Sequence, residues 1–388
     1  MKKILKLNKI SNLVDKYFEN YEYSDNCQNP EGIILRSFNM ADYTVESNLV
    51  GIARAGAGVN NIPVANMSEK GIVVFNTPGA NANAVKELVV SALLQTSRKI
   101  YDSMKWAESL KGNGADISKL VEKGKSQFVG PEIYGKSLGV YGLGAIGAKV
   151  ANIAHDLGME VYGYDPYLSV DAAWSLSRKV KHEKDINALY AECDYISLHV
   201  PYLPSTKGMI NREAISKMKD GVRIINIARG ELVDNEAMIE ALKSGKVAQY
   251  YTDFPCEELI GVEGVVMTPH LGASTPEAED NCAVMAARQL TDFIENGNIK
   301  NSVNYPNLSM PLSGIERITI AHRNQPNMIA IATQAMSNLG INISNMASAS
   351  KGDYGYMILD TDGHIDQNTL DKLSSTEGFL KVRVIKVG

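Results

Sequence analysis

Cysteine is scarce in this chain and scattered. The four cysteines, Cys27, Cys193, Cys256 and Cys282, include no C-x-x-C pair. That excludes a dense disulfide framework, and reduced thiols in a cytoplasmic protein are expected. Metal-ligand spacing is missing too: His155, His182, His199 and His364 have no i, i+4 partner or carboxylate grouping, and no metal is expected. Positive charge is not in surplus. The 39 Lys and Arg against 44 Asp and Glu leave a formal net charge of −5, without the basic footprint that a nucleic-acid binder needs. Long apolar runs are absent as well. Stretches such as Gly71-Ile72-Val73-Val74-Phe75 have only strand length, and Met1-Lys2-Lys3-Ile4-Leu5-Lys6 does not read as a signal peptide or a membrane helix. No segment is of low complexity, and the basic run from Arg178 to His182 reads as a solvated face.

What is present is ordinary globular composition, 45% hydrophobic and 21% charged, and 388 residues are too many for one compact core. Two or three domains are expected. Strand-like runs at Gly32–Leu35, Val50–Ala53 and Ile72–Phe75 are each followed by turn or helix signals, the pattern of βα units on a parallel sheet. One long helical stretch follows, from about Ala82 through Trp106. A loop rich in Gly and Lys, roughly Lys111 to Tyr134, then leads to a strand at Ser137–Tyr141. The alternation restarts there, with strands at Val161–Tyr164, Tyr195–Leu198, Arg223–Asn226 and Gly264–Met267. Helical patterns run through Asn235–Lys243 and Pro276–Ile294. A proline-containing linker, Asn301 to Pro311, separates a last α+β segment, Ile315 to Gly388.

Gly142-Leu143-Gly144-Ala145-Ile146-Gly147 is a G-x-G-x-x-G between a strand and a helix. Gly142 permits the sharp turn, Gly144 lets backbone approach a pyrophosphate, and Gly147 lets helix and strand pack closely. The helix start, with Ala145 and Ile146, offers free N–H groups and a positive dipole. The next strand ends in Asp165, where the motif requires an acid for the ribose hydroxyls; a carboxylate there repels a 2′-phosphate and favours NAD over NADP.

Polar groups follow at the ends of later strands, where ligands of doubly wound sheets bind. Arg229 lies in Ala228-Arg229-Gly230, and His270 in Thr268-Pro269-His270-Leu271-Gly272. Between them lie Asp253, Glu257 and Glu258. Oxidising an alcohol requires a base for the hydroxyl proton, a task suited to a His beside a carboxylate. An Arg binds a carboxylate bidentately.

These motifs, with Arg54-Ala55-Gly56-Ala57-Gly58-Val59-Asn60-Asn61-Ile62 and with His199-Val200-Pro201 and Thr206, make the chain resemble the D-isomer-specific 2-hydroxyacid dehydrogenases over nearly its whole length. The resemblance implies Arg229 as carboxylate binder, His270 as acid/base and a Glu as partner of that His. The family spacing gives Glu258, whereas a one-residue deletion would give Glu257. The NAD site implied comprises Gly142, Gly144, Ala145, Ile146, Gly147, Asp165, Pro201, Thr206, Ala228, Arg229, Asp253, His270 and Gly272. Substrate would contact Arg36, Arg54, Ala55, Gly56 and Arg229. The implied fold is α/β with two doubly wound parallel-sheet domains: a Rossmann NAD domain, 98–284, inserted in a flavodoxin-like substrate domain, 1–97 and 285–308. The substrate implied is 3-phospho-D-glycerate, in a homodimer or homotetramer. A hydroxypyruvate or glyoxylate reductase is the alternative, and a non-enzymatic NAD sensor a remote one. Leu259 replaces the usual Pro after the Glu, Asn60 the usual Asp, and Lys86 a small residue.

Residues 315–388 resemble an ACT domain, a small α+β module. His322, Asn324 and Asn342 match the spacing with which such modules hold L-serine across a domain dimer. Asn327 stands in place of a common Gly, and Asn also visits left-handed conformations.

Overall fold

Lysines mask the first strand. In the computed structural model of the chain, which describes residues 1–387, β1 (Lys2–Leu7) turns Ile4 and Leu5 to the core. Lys2, Lys3 and Lys6 pair with Glu295, Glu22 and Asp25. β2 (Tyr21–Ser24), β3 (Gly32–Leu35), β4 (Gly51–Arg54) and β5 (Val73–Phe75) complete a parallel sheet in the order β2-β1-β3-β4-β5. The sequence pattern showed only β3 to β5, whose near-complete burial makes them read as apolar runs. The helix Pro276–Asn296 covers this sheet, burying Ala283, Ala286, Ala287, Leu290 and Phe293 with Ile34, Ala53 and Val73.

The second sheet contains β6 (Ser137–Tyr141), β7 (Glu160–Tyr164), β8 (Lys181–His182), β9 (Tyr195–Leu198), β10 (Val222–Asn226), β11 (Val247–Thr252) and β12 (Val265–Met267). Its order is β12-β11-β10-β9-β6-β7-β8, parallel throughout. Strand order reverses between β6 and β9, the switch point at which doubly wound sheets bind ligands. Two strands were not expected. β8 is a two-residue edge pairing within the basic run, and β11 reads polar because of Gln249 and Thr252, although both are buried.

The chain divides into Met1–Ala80 with Glu279–Gly388, and Asn81–Ala278. The boundaries expected near 97 and 285 therefore move. The helix Ala82–Arg98 buries Val85, Val89, Ala92 and Leu93 with Val140, Tyr195 and Ile225 of the second sheet. Each fully buried Val or Leu contributes roughly 1.5–3 kcal/mol, so this helix belongs with that sheet. The expected continuous helix also breaks: Lys99 adopts φ 48° before a separate helix, Ile100–Ser109. The Gly- and Lys-rich stretch after it contains a further helix, Ile117–Gly124.

The C-terminal segment is a βαββαβ module. Its strands, β13 (Glu316–Arg323), β14 (Ile343–Lys351), β15 (Tyr354–Thr361) and β16 (Phe379–Lys386), form an antiparallel sheet in the order β14-β15-β13-β16. One face buries Ile318, Ile320, Met357 and Leu359 with Met328, Ala332 and Met336 of the helix Met328–Asn338. The other joins the core of the first unit through Ala321, Tyr356 and Ile358. Where the sequence suggested a module set apart by a linker, the structure shows one compact unit. Arg317, fully buried, ties it together. Its guanidinium donates to both Asp360 carboxylate oxygens and to the carbonyls of Asn296, Met310 and Pro311. All five N–H donors are used, which offsets the cost of burying the charge.

Candidate active site

The glycine loop follows β6. Gly142 takes φ 92°, and a Cβ there would stand 2.8 Å from the His199 carbonyl oxygen. A Cβ on Gly147 would overlap the Gly142 carbonyl. At Gly144 it would project into open space, and no side chain caps the helix that begins at Ala145. The amides of Ala145, Ile146 and Gly147 are the orphan donors of that helix. The Asp165 carboxylate at the end of β7 accepts from the Leu143 and Tyr167 amides, each at 2.8 Å. An uncapped helix start, an open approach over Gly144 and a fixed carboxylate fit a dinucleotide. After β9, Thr206 Oγ1 donates to the Pro201 carbonyl at 2.8 Å and accepts from Leu203 N–H. Beneath the glycine loop, Ser197 Oγ pairs with His199 Nε2 at 2.8 Å. Desolvation pushes this imidazole down to about 3, so it stays neutral.

Two loops carry the candidate catalytic groups. In the first, the buried Asn226 side chain donates to the Arg229 carbonyl at 2.8 Å and accepts from Ala228 N–H at 3.2 Å. This holds the turn that exposes the Arg229 guanidinium, whose Nη1 donates to the Ala228 carbonyl. In the second, Asp253 is 1% exposed. Its Oδ1 accepts from Thr268 Oγ1 at 2.6 Å and Leu271 N–H at 2.7 Å, and its Oδ2 from Gly272 N–H at 2.8 Å. Hydrogen bonds to an ionised group contribute about 1.5–3 kcal/mol each. They lock the loop around His270, which is exposed with φ 56°. A Cβ on Gly272 would stand 3.2 Å from Asp253 Oδ2 and crowd that arrangement.

Glu258 is not brought to His270. Its own amide and then the Cys256 thiol hold its carboxyl below the usual range. The chain turns between Cys256 and the buried Leu259, whose N–H donates to the Cys256 carbonyl, and this directs Glu258 back to its own loop. Glu257 is exposed. Phe254 stands edge-on to the His270 ring at 5.1 Å, a residue not singled out from sequence. Lys86, the noted departure, lies along its own helix and donates to Asn83 at 2.7 Å.

In the first unit the sequence-predicted Arg36, Arg54, Ala55 and Gly56 form one group. Arg54 Nε donates to Asn61 Oδ1 at 3.1 Å, and Asn61 Nδ2 donates to the carbonyls of Arg36 and Phe38 at 3.2 and 2.7 Å. Asn61 thus bridges the segments that carry both arginines. The Arg54 guanidinium lies where a Gly56 side chain would stand, and Ala55 is buried beneath. Neither Asn61 nor Glu279, the ion-pair partner of Arg36, was singled out from sequence. Asn61 does stand in the quoted motif, whereas Glu279 carries no sequence signal.

In the C-terminal module His322 is 4% exposed, with Nδ1 on the Arg323 carbonyl and Nε2 unpartnered. Asn324 donates to the Gly352 carbonyl. Asn342 lies beyond the other end of the helix Met328–Asn338, so one chain does not gather the three. Asn327 takes φ 71°, the conformation that made it an acceptable substitute for Gly.

Residues 90–272 match the family D-isomer specific 2-hydroxyacid dehydrogenase, NAD binding domain. The chain is 33% identical over 340 residues to D-3-phosphoglycerate dehydrogenase of Haemophilus influenzae, covering 84% of this chain and 79% of that one. It is 40% identical over 263 residues to D-3-phosphoglycerate dehydrogenase of Methanocaldococcus jannaschii, covering 66% of this chain and 48% of that one. The chain thus spans about half the length of some relatives it matches. A crystal structure of NAD+-bound 3-phosphoglycerate dehydrogenase from Entamoeba histolytica superposes with a TM-score of 0.60 at 28% identity, over 79% of this chain and 99% of that one.

Proposed function

The chain belongs to the D-isomer specific 2-hydroxyacid dehydrogenases, and we propose that it oxidises 3-phospho-D-glycerate to 3-phosphohydroxypyruvate, the entry to L-serine synthesis. One observation carries the choice of substrate: Asn61 holds the Arg54 guanidinium and the backbone of Arg36, so the first unit carries two arginines on segments tied together by one side chain. A 2-hydroxy acid without a phosphate needs only the carboxylate partner that Arg229 supplies. Planar guanidinium forks suit phosphate oxygens.

When bound, NAD would supply the acceptor for a hydride from C2 of the substrate. The amides of Ala145, Ile146 and Gly147 would hold its pyrophosphate, and Asp165 its ribose hydroxyls. Pro201, Thr206, Ala228 and Gly272 line the same site. Arg229 takes the substrate carboxylate and polarises the C2 oxygen, and His270 accepts the hydroxyl proton. Asp253 keeps the His270 loop in place. The Glu partner of His270 requires the turn at Cys256 to open, which fits the observation that catalytic hydrogen bonds often tighten only with substrate bound.

The C-terminal module is proposed to take L-serine through His322, Asn324 and Asn342. This requires a second copy of the chain, in a homodimer or homotetramer, because one chain places Asn342 at the far end of its helix. No helix of the described residues is long and apolar enough to cross a membrane.

A substrate panel tests the proposal. NADH formation from 3-phospho-D-glycerate is expected to exceed that from D-lactate, D-glycerate and glycolate in kcat/KM. Faster reduction of glyoxylate or hydroxypyruvate than of 3-phosphohydroxypyruvate would select the reductase instead.

A further inference from the structure

Glu279 stands in the first turn of the helix Pro276–Asn296, and its carboxylate lies 2.7 Å from Arg36 Nη1. The pair is open to solvent, with side chains 40% and 47% exposed. One helical turn on, Cys282 is 6% exposed and Thr77 is fully buried. Burial pushes the Cys282 thiol up, the Thr77 hydroxyl and the guanidiniums of Arg36 and Arg54 pull it down, and Glu279 raises it. The charges of both arginines and of Glu279 are therefore felt at one buried thiol, Cys282. Thr77 N–H donates to the Gly56 carbonyl at 3.1 Å, tying this floor to the Arg54 loop. A carboxylate thus sits against one of the two arginines read as phosphate ligands.

We propose that Glu279 is an internal competitor for that site. Without ligand it neutralises Arg36. The phosphate of the substrate must displace it, so Glu279 sets affinity for the phosphorylated end and leaves hydride transfer alone. The inference rests on reading Arg36 and Arg54 as phosphate ligands. Exchange is feasible because an ion pair this exposed is weak. A phosphate monoester carries more than one negative charge and three acceptor oxygens, so it outbids a single carboxylate for the guanidinium fork. Displaced, Glu279 remains favoured at the positive end of its helix. The cost of moving it appears as a raised KM.

Glu279→Gln is expected to lower the KM for 3-phospho-D-glycerate about fivefold, as for loss of a weak exposed pair, with kcat held. Inorganic phosphate should inhibit the variant about fivefold more tightly, and the KM for D-glycerate should not move. Glu279→Asp, which keeps the charge but shortens its reach, should fall between. A Glu that merely holds Arg36 in place predicts the reverse, a higher KM in Glu279→Gln. An unchanged or raised KM in a variant that melts like wild type, while wild type still prefers the phosphorylated acid, overturns the role of Glu279 and leaves the anion site standing. A wild type that does not distinguish 3-phospho-D-glycerate from D-glycerate and is not inhibited by phosphate overturns both.

Discussion

Two groups of charged residues, one in each unit, are held in opposite ways. In the second, Asp253 is 1% exposed and both its oxygens are taken by its own loop, while two amides fix Asp165. In the first, Arg36 and Glu279 are 40% and 47% exposed and hold each other. A buried carboxylate with several donors is costly to disturb, whereas an exposed pair exchanges partners readily. The contrast matches two tasks. Proton and hydride transfer need fixed geometry, and recognition of an anion needs cations that can change partners.

The largest effect is expected where geometry is fixed. His270→Ala should lower kcat by about 10²–10⁴-fold, the range for losing a positioned proton-transfer group, with NADH binding retained by fluorescence titration. Near-normal turnover would remove His270 from the mechanism.

The first unit also has a locked ion pair, Arg317 with Asp360. Asp360→Ala leaves Arg317 buried without its carboxylate and should cost about 3–5 kcal/mol in urea unfolding. Because Arg317 also holds the Asn296 carbonyl, the module and the first sheet should unfold together. A loss below about 1 kcal/mol would mean that the module is only loosely attached.

A smaller effect is expected at the ribose. Asp165→Ala should weaken NAD binding about tenfold or more, as for a lost charged hydrogen bond, and narrow the preference over NADP. Equal use of NAD and NADP by wild type would contradict the assignment.

The smallest effect concerns pH. Desolvation, with Arg383 nearby, holds the Lys381 ammonium down to about 8, against an ordinary 10.5. Between those values the unfolded chain carries a proton that the folded chain lacks, so this residue makes stability rise with pH across that window; below about 8 both states are protonated and its contribution is flat. Urea unfolding near pH 7.5 and 9.5 should show wild type gaining on the order of 1 kcal/mol relative to Lys381→Met. An identical pH response would mean that Lys381 is solvated.

Much of the second unit was legible because its signals are local. Gly147 meets Gly142 within the fingerprint itself, and Asp165 closes the next strand. The position of Glu258 was not, since counting residues cannot show that the loop turns at Cys256. The first unit was harder. β1 hides behind Lys2, Lys3 and Lys6, whose partners Glu295, Glu22 and Asp25 are mostly distant in sequence. Docking of the C-terminal module was illegible for a similar reason. Arg317 and Arg383 look like surface charges, yet they reach backbone carbonyls at the end of the helix Pro276–Asn296, and a carbonyl acceptor leaves no mark on composition.

The division of labour between the units is tested most directly by one selectivity ratio. It is kcat/KM for 3-phospho-D-glycerate over that for D-glycerate, measured with NAD in wild type and in Arg36→Ala. A ratio well above one in wild type is predicted, falling about tenfold to a hundredfold in Arg36→Ala, as for one lost charge-assisted contact, through KM alone and with turnover of D-glycerate intact. A ratio that Arg36→Ala leaves unchanged, or a loss shared equally by both substrates, would contradict the account.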